Sequence, residues 1–322
     1  MRLSLKSLNE NQKMMIKRRT GNILTSVFRY AFLIAIGYVI IVQLAYIISY
    51  SIRNQGEMYD PGVVWLTRAP TMYNFNMAFK GLDYASSFFR TVGIQVVSAL
   101  IEVFTCAVAA YGFARFKFKG QGIMFFFVIL TILLPPQMTA VSMYINYAHF
   151  DVIGILNLIG KIFGKEIRPN LLDTGFVFWL PSLFGTGLRS GLFIFIYRQF
   201  FKGLPKELEE AASIDGANAF MTFMRVVLPS SGVAMLTVTI FSIVWHWNDY
   251  YLSILYFTDN YPLSVELSKL SSNIYAITGV ASATSTGILM AACALFMLPV
   301  LIMYIVLQRK FIASIDRVGI VG

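Results

Sequence analysis

Charged residues are scarce in this sequence: Asp, Glu, Lys and Arg make up 13% of its 322 residues, whereas soluble domains carry about 25%. So few charges cannot cover a soluble surface. Hydrophobic residues reach 57%, above the roughly 45–50% of soluble domains. This composition excludes an ordinary cytosolic enzyme. It also excludes a disordered chain, because disorder requires low hydrophobicity.

Cysteine and histidine are equally rare, with Cys106, Cys293, His149 and His246 as the full set. Both cysteines lie in apolar runs, which excludes a disulfide scaffold and a cysteine-rich zinc site. No His, Cys and carboxylate cluster has the spacing of a metal site, and the two distant histidines do not suggest a Ser-His-Asp arrangement. A phosphate-binding loop of the form G-x-x-x-x-G-K-[ST] is also missing from the sequence.

Long apolar runs dominate what is present. A helix needs about 20 apolar residues to cross a hydrocarbon core about 30 Å thick. Six segments meet this requirement, at residues 30–52, 91–114, 122–146, 174–197, 231–257 and 284–307. We therefore predict an all-α polytopic membrane protein with six transmembrane helices. The first run is too long for a signal-peptide core and lacks an A-x-A end, so we interpret it as a retained span.

The net charge is +10, but the cations are dispersed between apolar runs. This distribution indicates contact with a lipid bilayer and no nucleic-acid partner. The two tails and the loops after the second and fourth spans carry 17 Lys and Arg, against 8 in the other three loops. By the positive-inside rule both termini are cytoplasmic. The predicted organisation is an N-terminal tail at 1–29, a transmembrane domain at 30–307 and a C-terminal tail at 308–322.

The cytoplasmic loop at about 198–229 has the features of two short helices joined by a sharp bend. Acidic residues at the start of its first helix would meet the positive end of the helix dipole; these are Glu207, Glu209 and Glu210. Gly216 follows and can adopt positive φ, so it predicts the bend. The second helix would run to Pro229, where the fifth span starts. Spacing alone is also compatible with a simple helical hairpin at the membrane surface.

Two spans carry polar stripes, and a polar group at membrane depth is a functional candidate. The second span has Gln95, Ser98, Glu102 and Thr105 on one helical face, and the fifth has Thr239, Ser242, His246, Asp249 and Ser253. Each stripe could face either a water-filled path or a partner helix. Trp245 and Trp247 flank the second stripe, where they could line such a path or anchor the helix at the membrane interface.

Arg189 lies within the predicted fourth span, between Gly187 and Gly191, whose spacing allows close helix contact. Its guanidinium could bind an anionic group on cargo, or it could pair with Glu102 or Asp249. We favour the internal ion pair.

The cytoplasmic loop resembles a signature of the integral membrane subunits of ATP-binding cassette (ABC) importers: E-A-A, three residues, G, nine residues, then I-x-L-P. Glu210, Ala211, Ala212 and Gly216 match, Leu228-Pro229 has the right spacing, and Val226 replaces the usual Ile. Further likeness to carbohydrate-type, maltose-permease-like subunits lies at residues 110–120, 134–137, 198–201, 247–250 and 308–311, with the chain ending similarly near 319–322. The stretch 161–170 looks like an insertion.

This resemblance implies a type I ABC importer permease fold in a bacterial cytoplasmic membrane. It implies that the protein is not itself an enzyme and that it forms half of a sugar path. The expected partners are a sister permease subunit, an ATPase dimer that binds ATP and magnesium, and an extracytoplasmic solute-binding protein. The expected ATPase-coupling residues are Glu210, Ala211, Ala212, Asp215, Gly216, Ala217 and Phe220. The candidate substrate-path residues are Glu102, Trp245, His246, Asn248 and Asp249.

A proton-coupled secondary transporter is the main alternative, since Glu102, His246 and Asp249 could relay protons. No inverted repeat or paired broken helices are visible in the sequence to support it. A polytopic membrane enzyme is a weaker alternative because the sequence shows no catalytic cluster.

Overall fold

The computed structural model describes residues 10–63, 65–151, 154–162, 164, 168–280 and 285–319. These residues form helices, turns and loops without a β-strand, which confirms the all-α prediction. Residues 1–9 of the predicted N-terminal tail, 320–322 of the C-terminal tail and part of the expected insertion at 161–170 lie outside the described residues.

Seventeen α-helices follow one another along the described chain. The first eight are α1 Glu10–Ser51, α2 Tyr73–Gly81, α3 Tyr84–Thr91, α4 Val97–Arg115, α5 Gln121–Leu133, α6 Gln137–Ala148, α7 Ile155–Ile162 and α8 Phe176–Leu183. The remainder are α9 Ser190–Gly203, α10 Glu207–Ile214, α11 Ala219–Thr222, α12 Leu228–Ser230, α13 Gly232–Trp247, α14 Tyr251–Tyr256, α15 Leu263–Ser268, α16 Leu270–Thr278 and α17 Thr286–Gly319.

Three uninterrupted stretches are long and apolar enough to span a membrane: Thr25–Ser51, Tyr84–Arg115 and Thr286–Gln308. The second begins earlier than the predicted residue 91, because a π-helical turn at Val92–Val96 joins α3 to α4 without a break. Two bent helix pairs are also long and apolar enough if each pair is counted as one span: α5 with α6, bent by 103°, and Ala219–Ser230 with α13, bent by 81°. Pro135 and Pro136 separate α5 from α6, and proline lacks the N–H that would continue a helix.

The predicted fourth span is wrong as a continuous helix. It consists of α8 and α9, separated by residues 184–189. Gly185 and Arg189 adopt left-handed conformations with φ of 66° and 67°, and a left-handed residue cannot continue a right-handed helix. Arg189 therefore occupies a helix break, which the apolar composition of 174–197 did not reveal. The count of six transmembrane helices stays a prediction.

Among the described residues, 10–75 and 285–294 form one compact unit and the others form a second. In the first unit, the Asn74 side-chain amide donates to the backbone oxygens of Ser51 at 3.1 Å and Arg53 at 2.8 Å. A Cβ on Gly287 would lie 2.6 Å from Met58 Cε and 2.7 Å from Asn74 Nδ2, so a larger residue there would displace these side chains.

The second unit is built around α4, which packs most extensively against α9 and also contacts α8 and α13. A buried apolar cluster joins α4 and α9 to the π-helical turn Phe223–Val227 and α13. Its aromatic members are Tyr111, Phe193, Tyr197, Phe201 and Phe223. Gly191 in α9 approaches α5 closely, since a Cβ there would lie 2.8 Å from the backbone oxygen of Val128. The close helix contact predicted for Gly191 is confirmed.

Candidate functional site

The conformation of the loop after α9 follows directly from its residues. Helix α10 ends at Ile214, and Gly216 takes φ of 81°. The N–H of Ala217 then donates to the Ala212 oxygen at 3.0 Å, a hydrogen bond that closes a helix end through a left-handed residue. The Asn218 side chain accepts from the Met221 N–H at 2.9 Å and caps α11. The bend predicted at Gly216 is confirmed.

The surface of this loop is unusually apolar for an exposed element. Three large hydrophobic side chains of α10 and α11 are exposed: Leu208 at 44%, Ile214 at 87% and Phe220 at 66%. Of the predicted coupling residues, Glu210, Ala211, Asp215, Gly216 and Phe220 are exposed, while Ala212 and Ala217 are partly buried. We name this set, together with Leu208 and Ile214, the α10–α11 surface. The signature match did not include Leu208 or Ile214.

Sequence reasoning assigned Glu209 only to the helix dipole, but the structure gives it a specific partner. Its carboxylate forms an ion pair with Arg115 Nε at 2.5 Å and accepts from the Tyr111 hydroxyl at 3.2 Å. Arg115 also donates to the backbone oxygen of Leu204 at 2.9 Å. The Arg115 and Glu209 side chains are 9% and 18% exposed. Helix α10 is therefore attached to the end of α4 by a largely buried ion pair.

The connection from this loop to the fifth span differs from the prediction in one respect. Pro229 belongs to the short helix α12, and the span itself begins at Gly232 after the 81° bend. The π-helical turn Phe223–Val227 makes the chain continuous from α11 to α12. The loop is thus connected to the membrane helices twice. The chain itself links it to α13, and the ion pair of Glu209 with Arg115 links it to α4.

The polar stripes of the second and fifth spans face each other inside the chain. Glu102 is fully buried, and its carboxylate accepts from the Ser190 hydroxyl of α9 and, at 3.0 Å, from the Ser242 hydroxyl of α13. His246 Nδ1 lies 3.7 Å from Glu102 Oε2 and 2.9 Å from the Ser242 backbone oxygen. We call Glu102, Ser190, Ser242 and His246 the polar seam, because they join α4, α9 and α13.

A second set of hydrogen bonds lies nearer the end of α13. Asp249 Oδ2 accepts from the backbone N–H and the hydroxyl of Ser253, both at 2.9 Å, and so caps α14. The Gln95 side-chain amide donates to the Ser253 hydroxyl at 2.9 Å. Neighbouring residues are also used structurally: Trp247 Nε1 donates to the Phe296 oxygen at 3.1 Å, and Asn248 Nδ2 donates to the Val244 oxygen at 2.7 Å.

These contacts separate the five candidate path residues into two groups. Glu102, His246 and Asp249 are buried within the chain, whereas Trp245 is partly buried and Asn248 is exposed. Phe241, at 44% exposure, lies on the same face of α13 as Trp245 and Asn248, since the three are four and three residues apart. The exposed face of α13 is therefore the one that carries Phe241, Trp245 and Asn248.

The ion pair favoured for Arg189 is wrong. Neither Glu102 nor Asp249 lies within ion-pair distance of its guanidinium, and the ion pairs found among the described residues do not include it. Because Arg189 occupies a helix break instead of a helical turn, its side chain is directed elsewhere. It is exposed, and its guanidinium lies 5.6 Å from the centre of the Trp245 ring.

Comparison with known proteins places this geometry in a family. Residues 102–317 match the family described as the binding-protein-dependent transport system inner membrane component. The chain is similar to the probable ABC transporter permease protein YurM of Bacillus subtilis, with 26% identity over 92% of this chain and 87% of that one. It is 29% identical to the diacetylchitobiose uptake system permease protein NgcG of Streptomyces coelicolor, over 89% of this chain and 86% of the relative.

A third relative is the arabinooligosaccharides transport system permease protein AraQ of Halalkalibacterium halodurans, 25% identical over 95% of this chain and all of the relative. Among solved structures, a bacterial ABC transporter involved in the import of the acidic polysaccharide alginate shares the fold. The TM-score is 0.65 at 22% identity, covering 90% of this chain and 98% of that one. These matches extend over most of the sequence and confirm the resemblance that was first seen in the α10 loop. The chain belongs to the family of inner membrane components of binding-protein-dependent transport systems.

Proposed function

We propose that the chain is the transmembrane permease subunit of an ATP-driven ABC importer and forms half of the translocation path for a sugar or oligosaccharide. Family membership and relatives named for oligosaccharide uptake support this function. The observation that carries it is the α10–α11 surface, which exposes Leu208, Ile214 and Phe220 beside a left-handed Gly216. Large apolar side chains exposed together are typical of a protein interface.

The proposed partner at this surface is an ATPase dimer, which would bind ATP and magnesium. The proposal further includes a sister permease subunit that completes the path and an extracytoplasmic binding protein that delivers cargo. The chain would lie in the bacterial cytoplasmic membrane with six spans and both termini inside, as the uneven Lys and Arg distribution predicts. The predicted division into tails at 1–29 and 308–322 and a domain at 30–307 belongs to this proposal.

The contacts suggest how movement of the ATPase would reach the path. A displacement of α10 would be transmitted to α4 through Glu209 and Arg115, and to α13 through α11 and α12. Since the polar seam joins α4, α9 and α13, the three helices would move as a group. Glu102 and His246 then have a positioning role in this proposal, whereas Trp245 and Asn248 remain the candidates for contact with cargo.

A proton-coupled carrier is the second candidate, and the buried pair of Glu102 and His246 is the observation that favours it. Uptake of labelled oligosaccharides separates the two functions. Cells carrying the complete transport system are compared with the same cells lacking this chain, under either ATP depletion at constant proton gradient or a protonophore at constant ATP. The proposal predicts that uptake requires the chain and ATP but survives the protonophore. Uptake that stops with the protonophore and persists without ATP would establish the carrier instead.

A further inference from the structure

The position of α1 along the membrane normal is restricted by its charges. Residues 30–52, between Arg29 and Arg53, carry no charge. At about 1.5 Å per helical residue this run measures about 34 Å, only slightly more than a hydrocarbon core of about 30 Å. The core can therefore shift by only about 4 Å along the run. Tyr46, about 9 Å before the end of the run, thus lies about 5–9 Å inside the hydrocarbon edge nearer Arg53.

The loop that follows α1 returns to this depth. It closes at the end of the helix, where the Thr71 N–H donates to the Ile52 oxygen at 2.8 Å. Within the loop, the Trp65 ring stacks on the Tyr46 ring with centres 4.9 Å apart and planes 29° apart. Side chains of a helix lean toward its N-terminal end, so the Tyr46 ring lies deeper than its backbone. The Trp65 ring beside it therefore reaches the edge of the hydrocarbon.

Trp65 and Leu66, which we call the tip of the loop, stand apart from its polar groups. The Glu57 carboxylate accepts from the Thr67 hydroxyl at 2.5 Å and from the Arg68 N–H at 3.1 Å, so the polar residues after the tip bond back into the loop. The tip itself is apolar and exposed, with Trp65 at 41% and Leu66 at 84%. Its exposed side chains thus require an apolar environment outside these contacts.

Lipid is the occupant that this position indicates. The most apolar part of Thr25–Ser51 contains no buried residue, and a helix that is apolar on all sides is typical of a membrane span. The tip continues this apolar surface at the level of Tyr46. Tryptophan and tyrosine are also the residues enriched where hydrocarbon meets the headgroups.

We propose that Trp65 and Leu66 form an interfacial anchor whose side chains enter the acyl-chain border of the bilayer. The backbone of the tip stays in the hydrated headgroup region, because irregular backbone exposed to hydrocarbon would leave its N–H and C=O groups without partners. The anchor fixes the end of α1 relative to the membrane surface. It requires only that α1 spans the bilayer, and it is independent of the cargo and of the ATPase.

Quenching of a fluorescent label in the assembled importer tests this anchor. Cys106 and Cys293 are replaced by serine, and an NBD label is attached to Leu66→Cys in phosphatidylcholine nanodiscs. The quenchers are a lipid that carries a nitroxide near its headgroup and iodide in the buffer. Gln55→Cys is the matched control, since Gln55 is an exposed polar residue of the same loop, beyond the uncharged run. We expect the nitroxide lipid to quench position 66 several-fold more than position 55, and iodide to show the opposite order.

Three results would overturn the anchor. Iodide quenching at position 66 as strong as at position 55 would place the tip in water. Protection of position 66 from both quenchers would assign the tip to the sister permease. Iodide quenching that disappears when the solute-binding protein is added would assign the tip to that partner.

The role of the stack is tested in the same labelled chain. Trp65→Ala should increase iodide quenching of the label at position 66, because the contact with Tyr46 is lost. Tyr59→Ala, which removes another exposed aromatic side chain of the loop, should leave the quenching unchanged. The same quenching in both variants would show that the stack does not hold the tip at the membrane.

Discussion

Glu102 forms hydrogen bonds with two neighbouring helices and so contributes to the stability of their packing. Its two carboxylate oxygens accept hydrogen bonds from different helices, α9 and α13. Interhelical hydrogen bonds in membrane proteins contribute about 0.6 kcal/mol on average, and deletion of buried atoms adds the cost of a cavity. The residue thus stabilises the packing of three helices at one point.

We expect Glu102→Ala to lower the free energy of unfolding of the complex by at least about 1 kcal/mol. The measurement is the thermal unfolding temperature of the purified complex in detergent, which should fall. Glu102→Gln should have a smaller effect, because its amide oxygen still accepts one of the two serine hydroxyls. If the alanine variant unfolds at the same temperature as the wild type, the polar seam does not hold α4, α9 and α13 together.

Gly216 is the residue on which the conformation of the α10 loop depends. A side chain in a left-handed conformation costs roughly 1–2 kcal/mol, although a Cβ here would meet no atom within 4 Å. Gly216→Ala should therefore insert and fold normally but weaken retention of the ATPase, and Gly216→Trp should weaken it further by adding bulk at the interface. Gly203→Ala is the matched control, since Gly203 also has open space but no positive φ. Equal ATPase retention in all three variants would contradict the role of the loop conformation.

At the scale of elements, α10 is held by one ion pair with little exposure. Removing one member of such a pair is costly because it leaves a poorly solvated charge. Glu209→Gln should reduce ATP-driven uptake several-fold at unchanged membrane insertion, whereas Glu207→Gln on the exposed side of α10 should not. Combining Arg115→Gln with Glu209→Gln should cost less than the two single changes together. Strict additivity of the two losses would show that the ion pair does not connect α10 to α4.

The sequence predicted those elements whose local residues determine their structure. The E-A-A helix and its glycine bend depend on local spacing, and both were found. Of the six predicted apolar spans, the first, second and sixth were found as uninterrupted helices. The break at Arg189 was missed because residues 174–197 are mostly apolar, and only the clustered Pro181, Gly185 and Gly187 gave a hint. The ion pair of Arg115 with Glu209 was also missed, since residues so far apart in sequence give no sign of contact.

The polar stripes illustrate a further limit. Periodicity identified Ser242, His246 and Asp249 as one face of a helix. The structure confirms this for Ser242 and His246, whereas Asp249 lies after the end of α13 at Trp247. The direction in which a helical face points depends on the neighbouring helices. Here α4 covers the face of α13 that carries Ser242 and His246. The exposed face with Trp245 and Asn248 carries few polar residues, so periodicity did not identify it as a polar stripe.

At the scale of the whole molecule, the topology of six spans can be tested by cysteine labelling in intact cells. Cys106 and Cys293 are first replaced by serine. Single cysteines at Asp83 and Asp259, both exposed, should react with an impermeant maleimide from outside. A cysteine at the exposed Glu207 should react only after permeabilisation. Labelling of position 83 or 259 only after permeabilisation would invert the predicted orientation.

The central claim is that the α10–α11 surface is where an ATPase acts on this chain. Cross-linking tests it most directly, with a cysteine in place of the exposed Phe220 and vesicles from cells that express the complete importer. We predict a cross-linked product that contains both this chain and the ATPase subunit, and that is missing when the cysteine replaces Asp259 on the opposite side. If position 220 is accessible from the cytoplasm but yields no product with the ATPase, while uptake is normal, the claim is contradicted.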